Sequence, residues 1–456
     1  MFSVISAGLS SATQRFLSFY LGKGDMSGLN KTFSSCVYIF IALSLLIIII
    51  AEICGIWFLE NKLTIPEERL YAAHWVFHLS LLTLTISLIS TPYNALIVAH
   101  EKMKAFAYIS IVEAVAKLAI AYMIYVTSFD KLIVYAALLC GVQLFIRFLY
   151  NIYCNRHFPE STLNKHIDRV KIKEIYSFTG WSVLGGISYM GRTQGLNIIL
   201  NIFFGSIVNA ARGISVQIQG AINGFVSNFQ MALNPQIVKT YSQNDLLSMR
   251  KLVYRSSKFS FCLLFFFALP IMMETECILS VWLKATPEHT ANFIRLLLVI
   301  SMIDAISNPL VRSIEASGKI KMYQIICSIL MLCVIPLSYV ALKIHAIPEL
   351  VYWISLAFYL ITLQYRICLS CKILECKPMD FYRNVILKVL TMSSLSFAVS
   401  LCLSFCLEPS FLRFFIVCII SMVSTLVLSF CIVMDKNERQ AILKNVKRLK
   451  TNTHGS

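Results

Sequence analysis

Polar side chains of the Asn, Gln, Ser and Arg types recur along one apolar stretch, NAARGISVQIQGAINGFVSNFQMALN (209–234). Eight of them follow one another at helical steps of three or four residues: Asn209, Arg212, Ser215, Gln219, Asn223, Ser227, Gln230 and Asn234. At about 100° per residue these eight share one face of a helix. Such a helix is about 39 Å long, which is enough to cross a bilayer. We predict that the polar face lines a water-filled cavity; the alternative is that it forms hydrogen bonds to neighbouring helices.

The apolar stretch before it carries a second arginine and three amides. Gln194, Asn197 and Asn201 share one helical face, and residues 175–244 contain no Asp or Glu. Fixed cations stabilise an anionic group, and amides satisfy sugar hydroxyls. The predicted substrate-binding set is Arg192, Gln194, Asn197, Asn201, Arg212, Gln219, Asn223, Gln230 and Asn234. The alternatives are that Arg212 snorkels to the interface and that Arg192 only bonds helix carbonyls.

Two further spans contain ionisable residues. Asp304 is a lone acid within its span and is the candidate coupling-ion site; the alternative is a salt bridge to a neighbouring basic residue such as Arg295. Glu113 and Lys117 form an i,i+4 pair with the acid first, the favoured order on a helix. We interpret them as a neutralised buried pair, with a proton or ion relay as the alternative coupling site.

Two residue patterns that bind metals or act in redox chemistry in other proteins are interpreted here as structural. His74 and His78 in HWVFH have metal-ligand spacing, but no Glu follows the first His, so the zinc-protease pattern is absent. Cys368 and Cys371 form a CxxC at a span end, yet most of the fifteen cysteines lie inside apolar spans, where they are small hydrophobes. Nucleotide-binding and phosphate-loop patterns are absent. We therefore predict no cofactor, no metal and no enzymatic activity.

The composition places all these residues in a membrane. Of the 456 residues 58% are apolar and 14% charged, and the mean hydropathy is +0.73, which excludes an ordinary soluble domain. The formal net charge of +17 comes from Lys and Arg in the gaps between apolar runs, which indicates membrane topology and no nucleic-acid partner. Most of these basic residues occupy one set of alternating loops, so we predict that the C-terminus is cytoplasmic.

The apolar runs predict about thirteen transmembrane helices. Their approximate ranges are 1–21, 32–58, 73–98, 106–127, 131–152, 175–202, 207–234, 256–283, 291–311, 322–342, 347–371, 384–406 and 411–433. The predicted fold class is therefore all-α and polytopic.

An internal repeat organises these spans. PYNALIVAHEKMKAF (92–106) aligns with PLVRSIEASGKIKMY (309–323), and GDMSGLNKTF (24–33) aligns with NDLLSMRKLV (244–253). The matching loops face the same side, which predicts parallel repeats forming two six-helix lobes plus two C-terminal helices. The predicted domains are an N-terminal lobe (1–152), a cytoplasmic linker (153–174), a C-terminal lobe (175–373), two extra helices (384–434) and a basic tail (435–456).

The repeat also predicts that the chain lacks one helix and half of the next at its start. Fourteen helices are then expected in a full-length relative. The alternative is a genuine thirteen-span protein.

Several segments together resemble a known transporter family. They are RFLSFYLGKGD (15–25), PYNALIVAHEKMKAFAYISIVEA (92–114), FDKLIVYAAL (129–138), GLNIILNIFFGSIVNAARGI (195–214), ALNPQIVKTYS (232–242) and SNPLVRSIEASGKIK (307–321). With them the chain resembles the O-antigen-type polysaccharide-export flippases of the multidrug/oligosaccharidyl-lipid/polysaccharide exporter superfamily, whose members are MATE-like. The resemblance implies two bundles around a central cavity in a bacterial inner membrane.

It also implies a cargo and partners. The implied function is export of an undecaprenyl-pyrophosphate-linked oligosaccharide by alternating access, for lipopolysaccharide or other surface polysaccharide, with H⁺ or Na⁺ as a coupling ion. A monomer is expected, in contact with the lipid bilayer and with polysaccharide-assembly proteins as further candidate partners. The alternative within transport is a cation-coupled multidrug antiporter, which favours acidic cavity residues. A membrane-embedded glycan polymerase and a non-transporting interaction protein are the alternatives from other classes.

Overall fold

The computed structural model describes residues 2–62, 66–164, 169–408 and 410–440, and these ranges are helical without any β-strand. The α-helices are α1 (Phe2–Lys23), α2 (Met26–Asn61), α3 (Glu67–Ala99), α4 (Met103–Val126), α5 (Lys131–His157), α6 (Arg169–Ser242), α7 (Leu246–Met273), α8 (Thr275–Trp282), α9 (Thr290–Ala316), α10 (Lys321–Ile344), α11 (Leu350–Ile373), α12 (Pro378–Phe381), α13 (Leu387–Cys406) and α14 (Phe411–Leu428). A 3₁₀ turn (Pro159–Ser161) and two π-helical segments (Tyr382–Ile386 and Ser429–Val433) complete the described elements.

Eleven of these helices are long and apolar enough to cross a membrane, which confirms the prediction of an all-α polytopic membrane protein. Helix α1 is not among the eleven, although we predicted a span at 1–21. Its Ser, Thr, Gln and Arg side chains lower the hydropathy of the segment. The predicted span 256–283 is in fact two helices, because α7 ends at Met273 and the short α8 follows.

Helix α6 contains two of the predicted spans. Its 74 residues would extend about 110 Å as a straight helix, more than three times the thickness of the hydrocarbon core. The helix breaks at Gly205, where φ is 75° and ψ is −163°, a conformation that essentially only glycine adopts. Arg212, after the break, donates to the backbone carbonyl of Thr193, before it, at 3.0 Å. The predicted spans 175–202 and 207–234 therefore form a helical hairpin.

The chain divides into two compact units. The first comprises residues 1–186 together with 238–244. Its apolar core lies where α1, α2, α3 and α5 meet, with Phe33 and Tyr93 packed edge to face at a centroid distance of 5.2 Å. Helix α4 contributes little to this core, since Ile109 and Ile120 are its only buried residues.

The second unit comprises residues 187–237 and 245–456. Its main core is built from the α6 hairpin, α9, α10 and α11, and includes Leu200, Phe293 and Tyr352, which are almost fully buried. The two C-terminal spans, α13 and α14, pack against each other and against α7. The helices that pack against the α6 hairpin in this core, α9, α10 and α11, also carry polar residues. The same helices therefore form both the apolar core and the candidate site.

Local structure supports the internal repeat. Asp25 and Asp245, which the alignment pairs, are the N-caps of α2 and α7, and each accepts a hydrogen bond from the backbone amide three residues later. An Asp at this position satisfies one of the unpaired amides of the first helical turn. The aligned prolines, Pro92 and Pro309, both lie inside long helices.

The backbone repeats in the same register. Gly24 and Asn244, which precede the two caps, both have positive φ angles, 70° and 58°. Glu101 has a φ of 60°, and its aligned position in the second copy is Gly318, with a φ of 77°. A positive φ at a non-glycine residue is uncommon. Its recurrence at aligned positions indicates that the two copies inherited the same turns.

One basic residue of a predicted span lies in the helical core. Lys258, near the beginning of the predicted span 256–283, is buried in α7. Its ammonium donates to the carbonyl of Val433 at 3.2 Å and to the carboxylates of Asp435 at 3.0 Å and Glu438 at 3.4 Å. These three acceptors make burial of the charge tolerable. Most of the predicted basic tail (435–456) lies outside the described residues.

Candidate substrate and ion site

The polar face of α6 lies against α9 within the second unit. Gln219 donates to Ser301 Oγ at 2.8 Å and Asn223 donates to the same oxygen at 3.3 Å. Gln230, which is buried, donates to the carbonyl of Ala305 at 3.1 Å. These contacts are the interhelical hydrogen bonds that the alternative interpretation of the stripe predicts.

The lower part of the same face continues this pattern. The Gln230 side-chain oxygen accepts from Asn308 at 3.3 Å. With its amide oriented to satisfy both neighbours, Asn234 donates to the Gln230 carbonyl at 3.2 Å and accepts from Arg312 Nε at 3.3 Å. Asn201, on the first arm of the hairpin, is exposed. That the stripe lines a cavity therefore stays a prediction. It applies to those polar side chains that remain at least partly exposed.

Arg212 is held by three acceptors from two segments, the first arm of the α6 hairpin and α11. It is only 4% exposed, so its head does not reach the surface as the snorkelling alternative required. Nη1 donates to the Tyr352 hydroxyl at 3.2 Å, and Nη2 donates to the Thr193 carbonyl at 3.0 Å. Nε donates to the side-chain oxygen of Asn197, whose amide in turn donates to Gln194 at 3.2 Å. Three of the predicted binding residues thus form one connected group.

Arg192 is also buried, on the other arm of the hairpin. Its Nη2 donates to the Tyr359 hydroxyl at 3.0 Å, and its guanidinium carbon lies 5.1 Å from the centre of the same ring. Its Nε is buried without a hydrogen-bond acceptor in the described part of the chain. Among the described residues neither Arg192 nor Arg212 forms a salt bridge with a carboxylate. Both charges are therefore held by neutral oxygens.

Asp304 pairs with Arg366, and not with Arg295 as the alternative named. The Asp304 carboxylate lies 3.6 Å from Arg366 Nη1, whereas Arg295 lies 3.3 Å from Glu276. Arg366 is inside α11 and also donates to the Ser307 hydroxyl. A third of the Asp304 side chain remains exposed.

Helix α11 supplies three partners that sequence reasoning missed. Tyr352, Tyr359 and Arg366 lie at intervals of seven residues on α11, and we call them the α11 ladder. Seven residues are close to two helical turns, so the three share one face and together span about 21 Å along the axis. Each residue of the ladder contacts a predicted site residue. Tyr352 bonds Arg212, and Tyr359 bonds Arg192. Arg366 pairs with Asp304. The spacing of seven was the signal that could have identified them.

The second coupling candidate differs from its prediction. Lys117 Nζ lies 2.6 Å from the Glu113 carboxylate, which confirms the predicted pair. The predicted burial is wrong, because 52% of the Lys117 side chain is exposed. Helix α4 lies at the surface of its unit, where few neighbouring helices could cover the pair.

The histidines of HWVFH are paired with acids of α2. His78 lies 3.0 Å from Glu52, and His74 lies 3.7 Å from Glu60. Within the described residues no group of three or more His, Cys, Asp or Glu side chains is arranged to hold a metal ion. The pairs join α2 to α3 in the first unit.

Comparison with known proteins agrees with this architecture. Residues 1–123 match the sequence model of the family described as MatE. Among curated proteins, none matches the chain.

Solved structures give a likeness over most of the chain. An outward-facing multidrug resistance MATE family transporter of the MOP superfamily superposes with a TM-score of 0.69 at 12% identity, over 82% of this chain and 84% of that one. A MOP superfamily transporter from Pyrococcus furiosus gives 0.67 at 12% identity, over 82% and 84%. A MATE transporter from Vibrio cholerae in its bent form gives 0.67 at 14% identity, over 82% and 85%. The chain therefore has the fold of the MATE transporters.

Proposed function

We propose that this chain is a cation-coupled exporter that moves an organic substrate across the membrane by alternating access. The support is the MATE fold together with Asp304, an acid of α9 that pairs with Arg366 and whose side chain is one-third exposed. Ionisable residues within spans are costly and usually mark ion or substrate pathways. Asp304 is the coupling group in this proposal, and Arg366 is its counter-ion when no proton or substrate is bound.

The cargo that the comparisons favour is a drug-like organic cation. A solved structure with the same fold is described as a multidrug resistance transporter, and antiport of a cation has a simple electrostatic basis here. A proton that binds Asp304 removes the carboxylate charge that would attract the cationic substrate. Proton and substrate then compete for one site, and this competition is what exchange requires.

The second candidate is the lipid-linked oligosaccharide flippase, and one observation favours it. The α11 ladder brings together the guanidinium groups of Arg192, Arg212 and Arg366, and among the described residues Asp304 is the only carboxylate that forms a salt bridge with any of them. An excess of buried positive charge suits an anionic group such as a pyrophosphate. The Pyrococcus furiosus transporter is described as having a binding pocket of reversed polarity that suggests a different function, so the fold accommodates both charge signs.

The two candidates predict opposite effects of a proton. Protonation of Asp304 leaves the positive charges of Arg366 and Arg192 less compensated. An anionic substrate is then bound more tightly, whereas a cationic substrate is bound less tightly. The pH dependence of substrate binding therefore reports the sign of the cargo charge.

The test is substrate binding to the purified chain in detergent at several pH values. Ethidium serves as the cationic probe and a fluorescent undecaprenyl-pyrophosphate oligosaccharide as the anionic probe. The proposal of drug antiport expects ethidium to bind, with an affinity that falls on acidification and no longer depends on pH in Asp304→Asn. Binding of the anionic lipid alone, weakened by Arg212→Gln and strengthened on acidification, would replace drug antiport by the flippase. Binding of neither probe would contradict both.

A further inference from the structure

The turn that ends α11 brings two cysteine side chains together. Cys376 donates its backbone amide to the carbonyl of Cys371 at 3.0 Å, five residues earlier. Glu375, between them, has a φ of 50°. A six-to-one hydrogen bond closed by a residue with positive φ is the Schellman motif, in which the first and last side chains usually touch. Here both of those side chains are thiols, those of Cys371 and Cys376.

A third group faces the same pair. The hydroxyl of Tyr254, on α7, donates to the sulfur of Cys376 at 3.5 Å. The Tyr254 ring is held edge to face by Phe381, at a centroid distance of 5.4 Å, and Phe381 is fully buried. The pair is therefore positioned by a backbone motif and by a side chain from another helix.

We propose that Cys371 and Cys376 are a reversible redox site that takes a disulfide bond. Neither residue belongs to the proposed transport site, so this inference does not depend on the cargo. The turn belongs to the loops that we predict to be cytoplasmic, where disulfides are transient and typical of redox-sensing cysteines. The natural oxidant is then a small disulfide of the glutathione type.

The chemistry proceeds in two exchange steps. The thiolate of Cys376, which is partly exposed, attacks one sulfur of oxidised glutathione and releases one glutathione thiolate. The thiolate of Cys371 then attacks the Cys376 sulfur of this mixed disulfide and releases the second glutathione. The two cysteines lose two electrons and two protons, and oxidised glutathione becomes two molecules of the reduced thiol. Reduced glutathione in excess reverses both steps.

Cys368 provides a sharp internal control. It is exposed, whereas Cys371 is only 1% exposed. If accessibility decided the partner of Cys376, Cys368 would be chosen. If the Schellman motif decides it, the buried Cys371 is chosen, because disulfide geometry requires close and well-directed Cβ atoms.

The experiment treats the purified full chain with oxidised glutathione, blocks free thiols and digests with trypsin. Trypsin cleaves after Arg366, Lys372 and Arg383 but not between Lys377 and Pro378, so a bond between the two thiols joins peptide 367–372 to peptide 373–383. Mass spectrometry should find this cross-linked pair and its loss on reduction. Cys368→Ser should give the same pair in unchanged yield.

Cys371→Ser should instead accumulate the mixed disulfide of glutathione on Cys376, because the second step has lost its nucleophile. Size-exclusion chromatography checks that this variant remains folded. A cross-link that survives in Cys371→Ser and disappears in Cys368→Ser would overturn the proposal. So would glutathione that stays on Cys376 in the unchanged chain without any cross-link.

Discussion

The guanidinium of Arg192 donates to the hydroxyl of Tyr359 at 3.0 Å, and both side chains are buried. Asp304 pairs with Arg366, so among the described residues Arg192 forms no salt bridge, and a neutral hydroxyl is its acceptor.

Tyr359→Phe tests this arrangement. It removes the acceptor of a guanidinium whose Nε already lacks one, so we expect a loss of about 1–3 kcal/mol in the free energy of unfolding. The midpoint of thermal unfolding in detergent measures it. Tyr365→Phe on the same helix is the control, because the Tyr365 hydroxyl has no hydrogen-bond partner among the described residues. Equal midpoints for the two variants would refute a structural role for the Tyr359 hydroxyl.

Gly205→Ala should destabilise the hairpin of α6. An added Cβ meets nothing within 4 Å, so the effect is backbone strain alone, about 1–3 kcal/mol. Gly213→Ala is the matched control, since its Cβ also meets open space and its φ is not positive. Alanine there should stabilise the helix by about 0.5–1 kcal/mol. Thermal unfolding of both variants should thus shift in opposite directions, and a shift in the same direction would contradict the assigned kink.

The stability of the first unit should fall in mild acid. Burial lowers the pKa of His100, and this outweighs the opposing effect of Glu160, while Lys239 and Lys102 lower it further. The unfolded chain then binds a proton more readily than the folded one, so stability is lost as pH falls through the ordinary histidine pKa. Thermal unfolding between pH 7.5 and 5.5 should show this loss, and His100→Asn should reduce it. The same pH dependence in both proteins would exclude His100 as its source.

Local sequence signals predicted the repeat and the polar helix well. The aligned Asp25 and Asp245 became equivalent N-caps because capping depends on a residue and its next turn. The stripe on α6 was visible because helical periodicity is a local property. The helix that the stripe faces was not predictable in this way. Gln219 bonds Ser301, which lies more than eighty positions later in the chain.

Buried basic residues were the main source of error. Arg366 and Lys258 lie near span ends, where most Lys and Arg side chains face water, so the sequence did not predict their burial. Their partners, Asp304 on one side and Asp435 with Glu438 on the other, come from distant segments. A charge is tolerated inside a protein when it has a partner, and here the partners lie far away in the sequence. Helical periodicity is a local signal and does not detect such partners.

The most direct test of the transport account is export driven by a proton gradient in proteoliposomes. Ethidium efflux driven by an imposed pH gradient is compared for the unchanged chain, for Asp304→Asn and for Glu113→Gln. Glu113→Gln is the control, because it removes an acid from an exposed pair with Lys117. We predict that Asp304→Asn abolishes gradient-driven efflux while ethidium still equilibrates, and that Glu113→Gln leaves both intact. Gradient-driven efflux that persists in Asp304→Asn would contradict the account, because the coupling group would then lie elsewhere.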